Sequence, residues 1–277
     1  MADSPEQSLP KIKLYWLNQS RSQRIVWLLE ELQVPYEIEV FHRTKEMLAP
    51  PELAKIHPLG KSPVISITPP QGGEPVVLAE SGFMTQYLCE HLPGGKRLIP
   101  PRWKAGQEDQ VGGETEAYLR YQYYLHYCEG SLMPLLVMTI IISQRGGNDD
   151  DNIGLQSPNV PFFIRPITSA AAGRIFSAYI YPNLRRHLAM LEDQLATSPD
   201  GGVYLCGRDL TAADILMSFP LIASKGRLRQ VGPWEGGCWT DEFPRLGAYT
   251  AMLEKHEGYV GSVRKIEEVD GEFTPTL

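Results

Sequence analysis

The sequence predicts a mixed α/β domain followed by an all-helical domain. Short apolar runs typical of strands alternate with helical patterns only within the first ninety residues. Proline and glycine concentrate near residues 93–101, and the apolar residues beyond them recur at helical spacing. A chain of 277 residues has the length of two domains, since one domain takes roughly 100–200 residues. We assign residues 10–93 to the first domain, 94–104 to a linker and 105–265 to the second.

Elements of the first domain follow in the order β-α-β-α-β-β-α. Strands are predicted at residues 12–17, 36–41, 64–67 and 76–79, the last two joined as a hairpin by a glycine-containing turn. The first helix carries Ile25 and Leu32 on one face, with Ser20 or Ser22 as its N-cap. Residues 52–56 form a short helical stretch, and a longer helix follows Ser81. This order predicts a mixed sheet flanked by helices.

Helical patterns dominate the second domain. Residues 175–195 predict a long helix that Pro182 kinks or interrupts. Thr211 and Asp214 form a capping box, whose role is to start a helix rather than to perform chemistry. The polar, proline-bearing segment 146–161 is predicted to be an exposed loop, either a wall of a binding site or plain surface.

Composition argues against several classes of protein. The formal net charge of −7 has the wrong sign for binding nucleic acid. No membrane span is expected, because the most apolar stretch, residues 132–142, is shorter than the ~18 residues required. The first residues are polar and do not resemble a signal peptide. The four cysteines include no CxxC pair, so we expect no metal site and a reducing, cytoplasmic compartment.

Four motifs together carry a family resemblance. They are Tyr-Trp-Leu-Asn-Gln-Ser-Arg-Ser-Gln-Arg at 15–24, His-Pro-Leu-Gly-Lys-Ser-Pro at 57–63, Leu-Ala-Glu-Ser-Gly at 78–82, and Leu-Thr-Ala-Ala-Asp-Ile at 210–215. Their order and spacing resemble the cytosolic glutathione transferases, most closely a fungal branch of that family. The resemblance covers nearly the whole chain. It implies a thioredoxin-like N-terminal domain, an all-helical C-terminal domain, glutathione as co-substrate and a homodimer.

The resemblance places the γ-glutamyl end of glutathione beside Glu80 and Ser81. Ser81 begins a helix, so its backbone N–H and hydroxyl can hold a carboxylate. Glu80 offers a negative charge to the ammonium group. The alternative interpretation is that Ser81 only caps the helix and Glu80 is a solvated charge.

The turn before the third strand is expected to bind the rest of the tripeptide. In the resembled family the proline that corresponds to Pro63 follows a cis peptide bond, and the backbone of the preceding residue, here Ser62, pairs with the cysteinyl part. The Ser62 side chain is expected to matter less than its backbone. Lys61 can bind the glycyl carboxylate, or it is an ordinary exposed lysine. His57 is a further candidate that can instead stabilise the turn.

The chemistry depends on activating the glutathione thiol. A free thiol has a pKa near 8.5, and lowering that pKa by ~2 units requires ~2.7 kcal/mol of preference for the anion. Ser20, four residues before Arg24, matches the position of the serine in serine-type transferases. Asn18 and Ser22 are the alternatives, as are a water molecule and a backbone amide, whereas Tyr15 lies too early in the chain. This loop contains no cysteine, which disfavours disulfide exchange of the glutaredoxin type.

A second subsite must hold a small hydrophobic electrophile. By analogy it lies between the domains, where pockets have apolar and aromatic walls. The candidates share one helix and are Tyr118, Tyr121, Gln122 and Leu125. The alternative is that these side chains belong to the core.

Three functions compete at this point. The leading one is a glutathione S-transferase that conjugates the glutathione thiolate to electrophilic small molecules. The others are a glutathione-dependent peroxidase and a non-catalytic glutathione-binding or regulatory protein with the same fold. The sequence does not identify the natural electrophile, and it leaves detoxification and secondary metabolism both open.

Overall fold

Two compact units make up the structure. The computed structural model describes residues 9–143, 161, 163–229 and 231–275. The first unit comprises Met1–Leu98 and Glu257–Thr274, and the second comprises Ile99–His256 and Pro275–Leu277. The first unit therefore includes residues 257–265, which the sequence analysis assigned to the helical domain.

A four-stranded mixed sheet forms the centre of the first unit. Its strands are β1 (Lys11–Leu17), β2 (Tyr36–Phe41), β3 (Val64–Thr68) and β4 (Val76–Ala79), in the spatial order β2-β1-β3-β4. β1 pairs with β2 in parallel, whereas β3 is antiparallel to both β1 and β4. The predicted strands and the hairpin are confirmed. Leu17 lies opposite Phe41, so the loops that follow β1 and β2 leave the sheet side by side.

Helices account for most of the remaining described residues. They are α1 (Gln23–Leu32), α2 (Ser81–His91), α3 (Glu116–Tyr127), α4 (Met133–Ser143), α5 (Arg165–Ile175), α6 (Tyr181–Ala196), α7 (Ala212–Leu228), α8 (Trp239–Glu242), α9 (Pro244–Lys255) and α10 (Glu257–Asp270). The short predicted helix before β3 is a 3-10 turn, Pro51–Lys55. The predicted α/β unit and the predicted helical unit are both confirmed.

Within the first unit, α1 is buried on every side over residues 23–29, whereas Glu30 and Glu31 near its end are half-buried. Ile25, Val26, Leu28 and Leu29 are fully buried, and the polar Gln23 and Arg24 at its start are buried too. Because consecutive buried residues span the whole circumference of a helix, neighbouring elements must cover this part of α1 on all faces. α2 and α10 pack against it, which explains why α10 belongs to this unit although it is distant in sequence.

Two helices of the second unit are longer than predicted, because each continues through a π-helical turn. α3 and α4 are joined at Cys128–Leu132, and α5 and α6 at Phe176–Ile180. The predicted boundary near Pro182 is this second turn, and the proline follows it as the second residue of α6. Of the predicted loop 146–161, all but Pro161 lies outside the described residues.

The continuous helix through α3 and α4 bears on the expectation of no membrane span. By length and composition alone, Glu116–Ile142 is long and apolar enough to cross a membrane. However, 44% of its apolar window is buried inside the structure, and a core helix meets the same criterion. Tyr121, Tyr124 and Leu136 on this helix are almost fully buried.

The capping box at the start of α7 is part of a larger buried arrangement, the Asp214 cluster (Leu205, Thr211, Asp214, Tyr249). The Thr211 N–H and hydroxyl donate to Asp214 Oδ2 at 2.9 and 2.6 Å. The Leu205 N–H and the Tyr249 hydroxyl donate to Oδ1 at 3.0 and 2.7 Å. Burial raises the pKa of Asp214, and these donors oppose that shift.

Candidate active site

The loop between β1 and α1, residues 18–22, carries the candidates for thiol activation. Asn18 Oδ1 accepts the backbone N–H of Arg43 at 2.8 Å, and the Arg43 guanidinium donates to the carbonyl of Gln19 at 3.0 Å. Gln19 adopts a left-handed conformation with φ of 49°. Arg43 therefore fixes the loop from the adjacent strand end. The Asn18 side-chain oxygen is committed to this contact.

Three hydroxyl groups behind the loop form a hydrogen-bonded serine chain (Ser20, Ser22, Ser62). Ser20 Oγ lies 2.8 Å from Ser22 Oγ, which lies 2.7 Å from Ser62 Oγ. Ser62 Oγ donates to the carbonyl of Tyr15 at 2.8 Å. Each hydroxyl has one proton, so Ser62 must accept from Ser22, and Ser22 must accept from Ser20. The chain therefore has one direction, from Ser20 toward the Tyr15 carbonyl.

Burial separates the members of the serine chain. Ser22 is fully buried, while Ser20 keeps 6% of its surface exposed and Ser62 is half-buried. Ser22 occupies the N-cap position of α1, as predicted, but its hydroxyl makes no capping bond and instead links Ser20 to Ser62. A ligand thiol in solution can reach Ser20 more readily than Ser22.

The turn before β3 contains the predicted cis bond between Ser62 and Pro63. The expectation that the Ser62 side chain matters less than its backbone is incomplete, because this hydroxyl anchors the serine chain. Lys61 is exposed. His57 is half-buried, and its Nδ1 accepts the Leu59 N–H at 3.4 Å, which fits a role in stabilising the turn.

Glu80 and Ser81 lie at the start of α2, as predicted. Glu80 is exposed and has a φ of 69°, which is uncommon for a residue with a side chain and typical of binding sites. Ser81 is the first residue of the helix and is 4% exposed. The first amide groups of a helix have no carbonyl partner within it, so this end can bind an anion.

Arg24 is a component of this site to which the sequence analysis gave no role. Its side chain is 1% exposed, and its Nη2 donates to Ser81 Oγ at 3.0 Å. Arginine has only donors, so Ser81 Oγ is the acceptor and its own proton stays free for a second acceptor. The buried guanidinium also adds positive charge at the start of α2. An arginine directly before the apolar run at residues 25–29 was the signal available in the sequence.

The predicted electrophile residues all lie on α3 and differ in burial. Tyr121 is fully buried and Leu125 is 4% exposed. Tyr118 and Gln122 are half-buried, and the Gln122 amide donates to the Tyr118 hydroxyl at 3.1 Å. Only Tyr118 and Gln122 thus combine a polar group with appreciable exposure.

Metal and thiol chemistry have few candidates in the part of the chain that the structure describes. There, no group of three or more His, Cys, Asp or Glu side chains is arranged to hold a metal ion. All four cysteines are buried free thiols. Burial raises the pKa of Cys89 to about 12, which makes it a poor nucleophile.

A thioredoxin-like sheet with a cis-proline turn, followed by a helical unit, defines the class of this protein. Residues 20–91 match the family model described as glutathione S-transferase, N-terminal domain. Glutathione S-transferase 1 of Saccharomyces cerevisiae is 33% identical over 266 residues, covering 96% of this chain and 100% of that protein. Glutathione S-transferase 3 of Schizosaccharomyces pombe is 33% identical, covering 77% of this chain and 74% of its own. The chain belongs to the glutathione S-transferase family.

Solved structures agree with this assignment. A glutathione S-transferase from Actinobacillus pleuropneumoniae is 27% identical with a TM-score of 0.59, covering 95% of each chain. A glutathione transferase homologue from Lodderomyces elongisporus has a TM-score of 0.63 at 20% identity, covering 92% of this chain and 98% of its own. The latter crystal structure contains two glutathione molecules per subunit. At that identity the likeness concerns the fold.

Proposed function

We propose that the protein is a glutathione S-transferase in which Ser20 activates the glutathione thiol for attack on electrophilic small molecules. The observation that carries this proposal is the directed serine chain. It starts at Ser20, the more exposed of the two serines in the loop between β1 and α1. Its other end is fixed by the Tyr15 carbonyl.

Thiol activation requires Ser20 to turn its proton from Ser22 to the bound sulfur. This exchanges a neutral hydrogen bond of ~0.5–1.5 kcal/mol for one to a charged acceptor of ~1.5–3 kcal/mol. The N-terminus of α1 adds ~0.3–1 kcal/mol in favour of the anion. At 1.36 kcal/mol per unit, the net gain lowers the thiol pKa by about 1–2 units. The thiolate then attacks the electrophilic carbon and forms a thioether as the leaving group departs.

The remaining contacts would hold the tripeptide in register with Ser20. Ser81, with its free hydroxyl proton and the Arg24 guanidinium behind it, suits the γ-glutamyl carboxylate. The exposed Glu80 suits the ammonium group, and the exposed Lys61 suits the glycyl carboxylate. The Ser62 backbone beside Pro63 pairs with the cysteinyl part. We place His57 in the turn that positions Lys61 rather than against the ligand.

The electrophile contact is proposed for the α3 residues Tyr118, Tyr121, Gln122 and Leu125. Tyr118 and Gln122 offer hydrogen-bonding groups, and the buried Tyr121 and Leu125 support them from within the helix packing. Such a surface suits a small, largely hydrophobic electrophile with one polar group.

The first experiment is an ultraviolet titration of the thiolate of bound glutathione in the wild type and in Ser20→Ala. We expect a thiol pKa about 1–2 units below the free value in the wild type and a return toward 8.5 in the variant. Ser66→Ala is the matched control, because this half-buried serine contacts the Tyr15 side chain and not the serine chain.

The other outcomes separate the competing functions. A depressed pKa that survives in Ser20→Ala would transfer activation to Asn18, Ser22, a water molecule or a backbone amide. Saturated binding without any thiolate would favour a non-catalytic glutathione-binding protein. Rates on a chloronitrobenzene and on cumene hydroperoxide distinguish conjugation from peroxide reduction, and we expect the former to be faster.

The proposal also covers the oligomeric state of the protein and its location in the cell. We expect a cytoplasmic homodimer that acts in detoxification, by analogy with the family. Sedimentation should give a species of twice the chain mass. A single species of one chain mass would contradict the dimer.

A further inference from the structure

The C-terminal helix α10 and the residues after it belong to the unit that contains the candidate active site. Within this unit α10 packs directly on α1: Gln23 Nε2 donates to Ser262 Oγ at 3.1 Å, and both residues are buried. The Trp27 and Tyr259 rings meet edge to face at 5.6 Å. At Gly258 a Cβ would lie 2.4 Å from Trp27 Nε1, so the close approach requires glycine.

Asp270, the last residue of α10, joins the ends of two strands. Its side chain is only 5% exposed. Oδ2 accepts the indole N–H of Trp16 at 2.9 Å, and Oδ1 lies 2.5 Å from His42 Nε2. A carboxylate only accepts, so Nε2 is the donor in the second contact. Trp16 is next to last in β1, and His42 is the residue after β2.

Both of these partners lead directly to the loop that carries Ser20. Trp16 is two residues before Asn18. His42 precedes Arg43, which holds Asn18 through its backbone N–H and Gln19 through its guanidinium.

Residues 272–274, which follow α10, lie near the same strand end and loop. Phe273 lies against Trp16 with ring centroids 6.4 Å apart. Residues 272–274 line a cavity of about 90 Å³ together with Asn18, Gln19, Asp270 and its two partners, Trp16 and His42. The loop is therefore held by Arg43 on one side and faces the C-terminal segment across this cavity on the other.

We infer that Asp270 is a positioning residue for thiol activation: by holding Trp16 and His42 it fixes the loop on which Ser20 is aimed at the sulfur. This rests on the proposed function of Ser20. Asp270 does not contact the serine chain itself, and its effect is exerted through the two strand ends. A misplacement of ~1 Å at a reacting group can cost up to ~100-fold in rate, so a loosened loop is sufficient to impair activation.

The test compares Asp270→Ala and Asp270→Asn with a matched control, Glu267→Gln. Glu267 lies one turn earlier on the same helix and is exposed. Two readouts are needed: the thiol pKa of bound glutathione, and hydrogen exchange of the backbone amides in a peptide covering residues 17–23. The second readout does not depend on catalysis.

In Asp270→Ala we expect faster exchange in residues 17–23 and a thiol pKa displaced toward the free value. The rate constant kcat should fall by about tenfold, while the Kd for glutathione should stay within about twofold, because the α2 contacts are untouched. Asp270→Asn keeps an acceptor for Trp16 but loses the charge facing His42, so its effects should be intermediate. Glu267→Gln should behave as the wild type.

Two results would overturn the inference. One is unchanged exchange in residues 17–23 of Asp270→Ala. The other is a lower melting temperature with the wild-type thiol pKa, which would make Asp270 purely structural. Failure of the proposed function looks different: the wild type itself would then show no depressed thiol pKa, while the exchange measurement would still test whether Asp270 holds the loop.

Variants that remove one contact of Asp270 at a time show how much each contact contributes to holding the loop. Trp16→Phe removes only the indole donor, and His42→Ala removes only the imidazole. Each should give part of the Asp270→Ala effect on exchange. The double variant should reproduce the full effect of Asp270→Ala on exchange. If it did not, transmission through the strand ends would be contradicted.

Discussion

The protein contains two buried polar arrangements, the Asp214 cluster and the serine chain, that differ in whether they have an accessible end. The Asp214 cluster gathers four donors around one fully buried carboxylate. The serine chain links three hydroxyls in one direction and ends at Ser20, which retains a small exposed surface.

The difference lies in whether a proton can be redirected. The donors around Asp214 are two backbone N–H groups, the Thr211 hydroxyl and the hydroxyl of the buried Tyr249 ring, so moving one leaves a buried charge less satisfied. Ser20 can exchange its acceptor, because a bound thiolate would replace Ser22 with a stronger partner. A closed network stabilises the fold, whereas a network with one accessible end suits binding and chemistry.

The largest expected effect is the loss of stability when the Asp214 cluster is disrupted. Asp214→Ala removes the acceptor of four buried donors, so the free energy of unfolding should fall by about 3 kcal/mol or more. Urea denaturation measures this, with the exposed Asp209→Ala as the control. The thiol pKa of glutathione bound to the folded fraction should not change. A change in it would show that the two networks are coupled.

The second largest effect is expected at Arg24, whose guanidinium lies beside the proposed carboxylate site at Ser81. Arg24→Met should raise the Kd for glutathione about tenfold, because Ser81 loses its oriented donor and the site loses positive charge. Calorimetry measures binding, and Ser81→Ala with the double variant completes a mutant cycle. Strictly additive effects would mean that Arg24 does not act through Ser81.

A smaller effect is expected from one member of the Asp214 cluster. Thr211→Val removes one hydroxyl donor but keeps the backbone N–H, so the loss of stability should be about 1 kcal/mol. Thermal denaturation checks this value. A loss as large as that of Asp214→Ala would mean that the four donors do not share the stabilisation.

The smallest effect concerns the anchored end of the serine chain. Ser62→Ala frees Ser22 to reorient, so Ser20 is less well aimed and the thiol pKa should rise by about half a unit. Affinity for glutathione should be preserved, since the Ser62 backbone remains. An unchanged thiol pKa would restrict the role of Ser62 to its backbone.

Much of the architecture was predictable because its signals are local. Short apolar runs, alternation in the second strand and a glycine-containing turn predicted the four strands, and the Thr211 and Asp214 pair predicted the start of α7. The helix ends were less predictable: the π-helical turns extend α3 and α5 through segments with no distinct pattern. Extra residues in a turn are decided by packing rather than by propensity.

The candidate site likewise has a part that the sequence predicted and a part that it did not. Ser20, Ser81 and Pro63 are in short motifs, so their types and order were sufficient to propose a glutathione site. The serine chain was not predictable, because Ser62 is 40 residues from Ser22 in sequence. The role of Arg24 was not predictable either, because in the sequence it is only the last residue of the motif at 15–24.

The sequence by itself determined the class of the two domains and the strand order along the chain, because both follow from composition and periodicity over short spans. The family resemblance rests on four short motifs and their order. Tertiary structure alone decided that α10 returns to the first unit, that Asp270 meets Trp16 across 254 positions, and that Arg24 meets Ser81. Such contacts depend on which buried groups face each other once the helices have packed. No local pattern specifies that choice, since many polar side chains compete for the same partners.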